Sequence, residues 1–159
     1  MKINGINLKP ISKIDYETIS TLINSDFTLQ EEFGFKPESV PTGSQVEKDF
    51  CDWCNSHSAK MYSTFKDGQF IGLVTLSRID YDHKSARLGY WLGSKFRQQG
   101  HGSVVFKMIL YLINTMGITQ INGSVNPSNT PSRRLWEKNG AILIETEGKN
   151  LEYGLKLAF

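Results

Sequence analysis

Residues 89–102 read Gly89-Tyr90-Trp91-Leu92-Gly93-Ser94-Lys95-Phe96-Arg97-Gln98-Gln99-Gly100-His101-Gly102, and no other stretch constrains the architecture as much. A short strand from Ala86 to Leu92 gives way to a polar, glycine-bearing turn. The turn runs into Val104, Val105, Met108, Ile109, Leu112, Ile113 and Met116, which recur at helical spacing. Gly117 ends that helix, and Gln120 to Val125 is the next strand. Strand, helix and strand form a βαβ unit with parallel strands. The loop between strand and helix exposes backbone amides where the helix dipole favours negative charge, so a phosphate or pyrophosphate fits there.

The usual nucleotide fingerprints are absent. The residue three after Gly102 is Val105, so the last glycine of a dinucleotide motif is missing, and no Gly-Lys-Ser/Thr follows at P-loop spacing. Downstream, Asn126-Pro127-Ser128-Asn129-Thr130-Pro131 opens another helix, in whose first turn Pro131 needs no amide. That helix runs to about Asn139 and stops at Gly140. Strands from Ala141 to Glu147 and Asn150 to Leu157, joined by a turn at Gly148-Lys149, close the sheet. Upstream, Asp67-Gly68 between Met61–Phe65 and Phe70–Ile79 predicts a hairpin, and Tyr81-Asp82-His83-Lys84 turns back into the Ala86 strand. Lys2 to Ile11 reads as a first strand, and Asp15 to Ile23 as a helix with Ile14, Ile19, Leu22 and Ile23 on its apolar side. Asn24 to Gly43 reads as an irregular substrate-side loop. A second helix begins at Ser44, with Ser44 and Glu47 as a capping box. The class is mixed α/β: a mostly antiparallel sheet with a central parallel pair, flanked by helices.

Composition sets the outer limits. A chain of 159 residues, 39% hydrophobic and 21% charged, with 18 aromatic side chains, is expected to form one folded domain over residues 1–159. The longest apolar run, Met108 to Ile113, is far shorter than the ~20 residues a membrane span needs. No secretory signal is visible, which makes the cytoplasm the expected location. The formal charge of +2 conceals a division. Residues 15–54 carry nine acids against two bases (−7), leaving 16 bases against seven acids (+9) elsewhere.

Four motifs at fixed distances carry a resemblance: Gly89-Tyr90-Trp91-Leu92, Arg97-x-x-Gly100-x-Gly102, Asn126-Pro127-x-Asn129-x-x-Ser132 and Glu137-Lys138-x-Gly140-Ala141. Together they resemble the GCN5-related N-acetyltransferases, and within them the branch that includes the ribosomal-protein N-terminal acetyltransferases. The likeness is good from Gln69 to Leu143 and holds before that only in the order of elements. It implies acetyl-CoA in a V-shaped opening between splayed parallel strands. Amides of Gln98, Gln99, Gly100, His101, Gly102 and Ser103 would hold the pyrophosphate, with Arg97 nearby. Backbone groups of Trp91 and Leu92 would pair with the pantetheine arm, Leu92 polarising the thioester carbonyl, a contribution of ~3 kcal/mol where the donor is well aimed. Asn129 would bind the pantetheine, and Ser132 would protonate or orient the leaving thiolate. Read from the residues alone, the glycines serve as turn formers and Asn129 as a helix cap.

The expected reaction is direct acetyl transfer to a primary amine of a small molecule or protein N-terminus, with no covalent enzyme intermediate. The attacking amine must shed a proton first. Glu31 and Glu32 acting through water, or His83, are the candidates, and Glu31 and Glu32 would also draw a cationic acceptor. Arg87 stands where many relatives carry an acid, and the last helix lacks the family's usual tyrosine. A catalytically silent CoA-binding sensor is therefore the alternative. The basic run Lys84, Arg87, Lys95, Arg97 and Lys107 keeps a nucleic-acid-binding module as a weaker third reading. Cys51-x-x-Cys54 with His57 lies inside a helix and lacks a second ligand pair, so neither a metal nor a redox centre is expected. A homodimer is compatible with the sequence.

Overall fold

The structure, a computed structural model, describes residues 1–36, 39, 41–144 and 148–158. Strands β1 (Lys2–Ile3) and β2 (Ile6–Pro10) precede helices α1 (Lys13–Ser25), α2 (Phe27–Phe33) and α3 (Gly43–Ser56). Then come β3 (Lys60–Lys66), β4 (Gln69–Asp80), β5 (Ser85–Leu92), α4 (His101–Thr115), β6 (Gln120–Val125), α5 (Thr130–Lys138), β7 (Ile142–Ile144) and β8 (Leu151–Lys156). The eight strands form one sheet in the order β1-β2-β3-β4-β5-β6-β8-β7. Every neighbouring pair is antiparallel except β5 with β6. The mixed sheet with a central parallel pair is the expected one.

Side-chain alternation along the central strands builds two cores. Val74, Leu76, Ala86, Leu88 and Ile121 face Val105, Phe106, Ile109 and Ile113 of α4 and Trp136 of α5. On the opposite face, Leu73 and Phe70 pack against Tyr16, Ile19 and Ile23 of α1 and Val46 of α3. Trp136 sits edge-on to Phe106 at 5.4 Å and stacks on Tyr153 at 6.1 Å. The acidic stretch 15–54 therefore builds the three helices of one face, while α4 and α5 cover the other.

Three sequence expectations need correction. The single strand from Lys2 to Ile11 is a hairpin, because Asn4 and Gly5 take φ of 49° and 78° and make the two-residue turn that such a pair favours. The irregular loop from Asn24 to Gly43 contains α2, whose N-terminus is capped by Asp26 accepting from the Leu29 amide at 3.1 Å and whose end is Gly34 at φ 72°. Pro37, Glu38 and Val40 of that loop lie outside the described residues. Helix α3 is capped by Thr42, which accepts from the Gln45 amide, and not by Ser44. The reciprocal capping box belongs to α1, between Ser12 and Asp15. Of the strand expected from Ala141 to Glu147, Ile142–Ile144 is strand and Glu145–Glu147 lie outside the described residues.

Candidate active site

Strands β5 and β6 pair only at Ser85↔Gln120, Ala86↔Ile121 and Arg87↔Asn122. Beyond Arg87, β5 continues to Leu92 on β4 and β6 continues to Val125 on β8, with no pairing between them. A wedge opens there. Gly123 stands at its root, where an added Cβ would lie 2.7 Å from the Leu88 carbonyl oxygen and 2.7 Å from the Trp136 ring. Helices α4 and α5 follow the open ends of β5 and β6, so both begin at the mouth of the wedge with their positive dipole ends.

The register decides which backbone groups face the opening. Gly93 donates to the Ile71 carbonyl of β4 at 2.9 Å, and Leu73↔Trp91 keeps the same phase. Alternation then turns the backbone of Trp91 toward β4 and that of Tyr90 and Leu92 toward the wedge. The Leu92 carbonyl accepts from the Arg97 Nε at 2.9 Å. Of the two residues expected to offer backbone to a ligand arm, Leu92 is on the open edge, and Tyr90 stands beside it in place of Trp91. The Trp91 side chain lies on the other face of the sheet, 5.5 Å from Phe33 and 6.2 Å from Phe70.

The loop leaving β5 curls its backbone into a concavity lined by amides. Gln98 and Gly100 take left-handed φ of 59° and 79°, and such residues curl successive amides around a concavity. Gly100 is the N-cap of α4 and supplies no side-chain cap, so the first-turn amides of His101, Gly102 and Ser103 lack partners within the helix. A Cβ on Gly102 would meet only Leu135, at 3.4 Å, so its bare Cα leaves the approach open. Gln99 turns its side chain back to the Lys95 carbonyl at 2.9 Å. The amides, the curvature and the dipole all suit a diphosphate.

Arg97 and Glu32, expected to serve different ligands, are joined. The guanidinium donates to both Glu32 carboxylate oxygens, at 2.7 and 2.9 Å, and this pairing raises the Arg97 pKa despite partial burial. Asp26, buried at 7% exposure, accepts from the Ser94 amide at 2.7 Å and the Ser94 hydroxyl at 2.8 Å as well as capping α2. Burial pushes its carboxyl up, but the Ser94 and Leu29 hydrogen bonds outweigh that and leave its pKa below the usual value. Helix α2 is thereby fastened to the loop that leads into the cradle. Glu31 is exposed on the same helix.

Ser132 lies in the first turn of α5, and its hydroxyl is 2.8 Å from that of Tyr90. The Tyr90 side chain thus crosses from the β5 arm to the helix that follows the β6 arm. Burial raises the Tyr90 phenol pKa, partly offset by the Ser132 contact. Asn129 caps α5, its Oδ1 accepting from the Ser132 amide at 3.2 Å. Its Nδ2 group makes no hydrogen bond among the described residues. Below the wedge, Arg87 donates to both Glu152 oxygens and to Ser124. The Arg87 hydrogen bonds lower the Glu152 pKa against its burial, so this carboxylate stays ionised and occupied.

His83 is placed elsewhere. It sits in the β4–β5 turn, its ring nitrogen 2.8 Å from Asp80, at the far end of β5 and roughly 25 Å of strand from Leu92. It does not reach the wedge as a base. Cys51 and Cys54 carry free thiols on α3, Cys51 lying 3.8 Å from the Tyr16 hydroxyl and Cys54 pushed up in pKa by burial. Among the described residues, no group of three or more His, Cys, Asp or Glu is placed to hold a metal, and no helix is long and apolar enough to cross a membrane.

Tyr90, Asp26 and Glu152 join the site only in the folded structure. Tyr90 stands inside the quoted motif, and strand alternation alone puts it on the α4 and α5 face with Leu88. Asp26 three residues before Leu29, with Gly34 beyond, was a helix-capping signal. Glu152 alternates with Leu151 and Tyr153.

Residues 6–142 match the family model described as acetyltransferase (GNAT) domain. A ribosomal-protein-serine acetyltransferase of Escherichia coli (strain K12) is 29% identical over 86 residues, covering 54% of this chain and 48% of that protein. The chain thus matches about half the length of that curated relative. Among solved structures, the ribosomal L7/L12 alpha-N-protein acetyltransferase RimL in complex with coenzyme A superposes with a TM-score of 0.78 at 18% identity, over 99% of this chain and 97% of that one. The spermidine N-acetyltransferase from Vibrio cholerae in complex with CoA and spermine gives 0.76 at 16% identity, over 96% and 95%.

Proposed function

The chain belongs to the acetyltransferase (GNAT) domain family, and from that membership we propose that it is an acetyl-CoA-dependent N-acetyltransferase. It transfers acetyl directly to the primary amine of a small molecule or protein N-terminus. The observation that carries this reading is the wedge between β5 and β6, flanked by the uncapped α4 N-terminus and its left-handed Gln98 and Gly100. The diphosphate of CoA takes the amides of Gln98 to Ser103, and the pantetheine arm lies along the free edge of Tyr90 and Leu92 and against the Asn129 side-chain amide. A Leu92 amide aimed at the thioester carbonyl stabilises the negative charge that develops there. The Ser132 hydroxyl receives the leaving sulfur.

The acceptor enters from the opposite face, where Trp91 lies against Phe33 and Phe70 and where the helix that bears Phe33 also carries Glu31 and Glu32. Aromatic faces and carboxylates both attract an alkylammonium. The names of the relatives supply two amine classes to try, a serine-initiated peptide and a polyamine. The silent-sensor alternative rests on Arg87 and a missing tyrosine. Arg87 is committed to Glu152 and Ser124, and Tyr90 brings a phenol to the wedge from the strand side. We also place the protein in the cytoplasm as one acetyltransferase domain, a reading in keeping with its free thiols.

The test is acetyl transfer with thiol detection across serine-initiated peptides, polyamines, amino acids and aminoglycosides, beside calorimetry with CoA. Binding and amine-dependent thiol release are expected. CoA binding without turnover on any amine would return the sensor reading, and absence of CoA binding would remove both.

A further inference from the structure

We propose that Tyr90 is the positioning residue for Ser132, donating its phenolic hydrogen to the Ser132 oxygen so that the serine hydrogen is left to point into the wedge. The inference rests on the acetyltransfer reading and deepens it. Two hydroxyls 2.8 Å apart share one hydrogen bond, and either could supply the hydrogen. Three observations orient it. A phenol is a far stronger acid than an aliphatic alcohol and so the better donor of the pair. The Tyr90 ring is held edge-on to Phe106 at 5.8 Å, which fixes the ring plane and so limits its O–H to two in-plane directions, whereas the serine hydroxyl has three staggered ones. Burial also keeps the phenol protonated.

A serine hydroxyl in a first helical turn would otherwise rotate among several acceptors, its own backbone carbonyls included. With its oxygen engaged by Tyr90, it has one hydrogen to give, and that hydrogen faces the gap between the arms. In the transfer step the amine nitrogen bonds to the acyl carbon and gives its surplus proton to water. The carbon–sulfur bond breaks with its electron pair on sulfur, and the thiolate accepts the Ser132 hydrogen bond until it leaves. The Tyr90 side chain touches neither the acyl carbon nor the amine. It acts through Ser132, and it also ties α5 to β5 across the wedge.

The experiment is a double-mutant cycle of Tyr90→Phe, Ser132→Ala and the pair, measured by thiol release with acetyl-CoA and whichever of spermidine or a serine-initiated peptide the unmodified protein acetylates. CoA titration by calorimetry fixes the concentration of folded sites, so partial misfolding of Y90F does not enter kcat. Loss of one neutral hydrogen bond predicts a kcat roughly five- to tenfold lower for Y90F, with the acetyl-CoA KM changed less than twofold, and no further loss when Y90F is added to S132A. Equal losses from Y90F with and without Ser132, or an effect of Y90F on KM alone, would overturn the positioning role while leaving the acetyltransfer reading intact. If the unmodified protein releases no thiol with either amine, the acetyltransfer reading for these acceptors fails, and this inference with it.

Discussion

Arg97 donates through both terminal nitrogens to both oxygens of Glu32, while its Nε holds the Leu92 carbonyl at the open edge of β5. One guanidinium thus spans the strand proposed to hold the cofactor arm and the helix proposed to border the acceptor. Its terminal nitrogens cannot serve Glu32 and a diphosphate with the same hydrogens.

That competition gives a first prediction. Glu32→Gln releases the guanidinium and should tighten CoA binding severalfold, with a steeper dependence on salt, because an unpaired cation near a polyanion contributes more when not already neutralised. The pair is about one-third exposed on the arginine side, so the same change should cost no more than about 1 kcal/mol of stability. Calorimetry at two ionic strengths and a thermal melt measure both, and an unchanged CoA affinity would detach Arg97 from the cofactor.

Asp26 is the more important fastening. It caps α2 and accepts two hydrogen bonds from Ser94 in a buried setting, so Asp26→Ala should cost roughly 3 kcal/mol, as a lost cap together with unmet donors. Its pH signature has a definite sign. The folded-state pKa lies below the ordinary carboxylate value, so its contribution is complete above ~4 and disappears as pH falls through the lowered value. Urea denaturation of Asp26→Asn from pH 6 to 3 should show a weaker loss of stability toward acid than the unmodified protein does.

The two cradle glycines should respond differently. Gly100 holds φ 79° with nothing within 4 Å of an added Cβ, so Gly100→Ala carries a purely conformational cost of about 1 kcal/mol. Gly102 has no positive φ and room beside Leu135. Gly102→Val should leave the melting temperature nearly unchanged while lowering CoA affinity tenfold or more, because on the proposed reading its side chain would crowd the diphosphate. Equal affinity in calorimetry would remove the cradle assignment.

Gly123 tests the wedge itself. A methyl there meets a carbonyl oxygen and the Trp136 ring, both at 2.7 Å, so Gly123→Ala should destabilise by about 1–3 kcal/mol through overpacking. Because strain is placed at the divergence of β5 and β6, CoA affinity should fall together with stability.

Much of this molecule is local enough to read from the chain. The Asp67-Gly68 hairpin, the α4 periodicity and the parallel β5–β6 unit depend on residues close in sequence, and each stands where the pattern puts it. The glycine loop was legible for the same reason, since left-handed backbone and an uncapped helix start are properties of Gln98 to Gly102 alone. The Asn4-Gly5 turn and the Asp26 cap are equally local, but the first interrupts an apolar alternation that otherwise reads as one strand and the second precedes a proline-bearing stretch that reads as loop.

The sequence by itself determined a mixed sheet with one parallel pair, a diphosphate-suited turn between strand and helix, and an acidic segment apart from a basic remainder. The tertiary structure alone decided the partnerships that span the chain: Arg97 with Glu32 across 65 residues, Arg87 with Glu152 across 65 and Tyr90 with Ser132 across 42. Charge and hydroxyl positions along a chain do not specify which of them meet. That is set by how far β5 and β6 diverge, by the strand phase that turns Leu92 outward, and by the packing of α2 and α5 against the two sides of the opening.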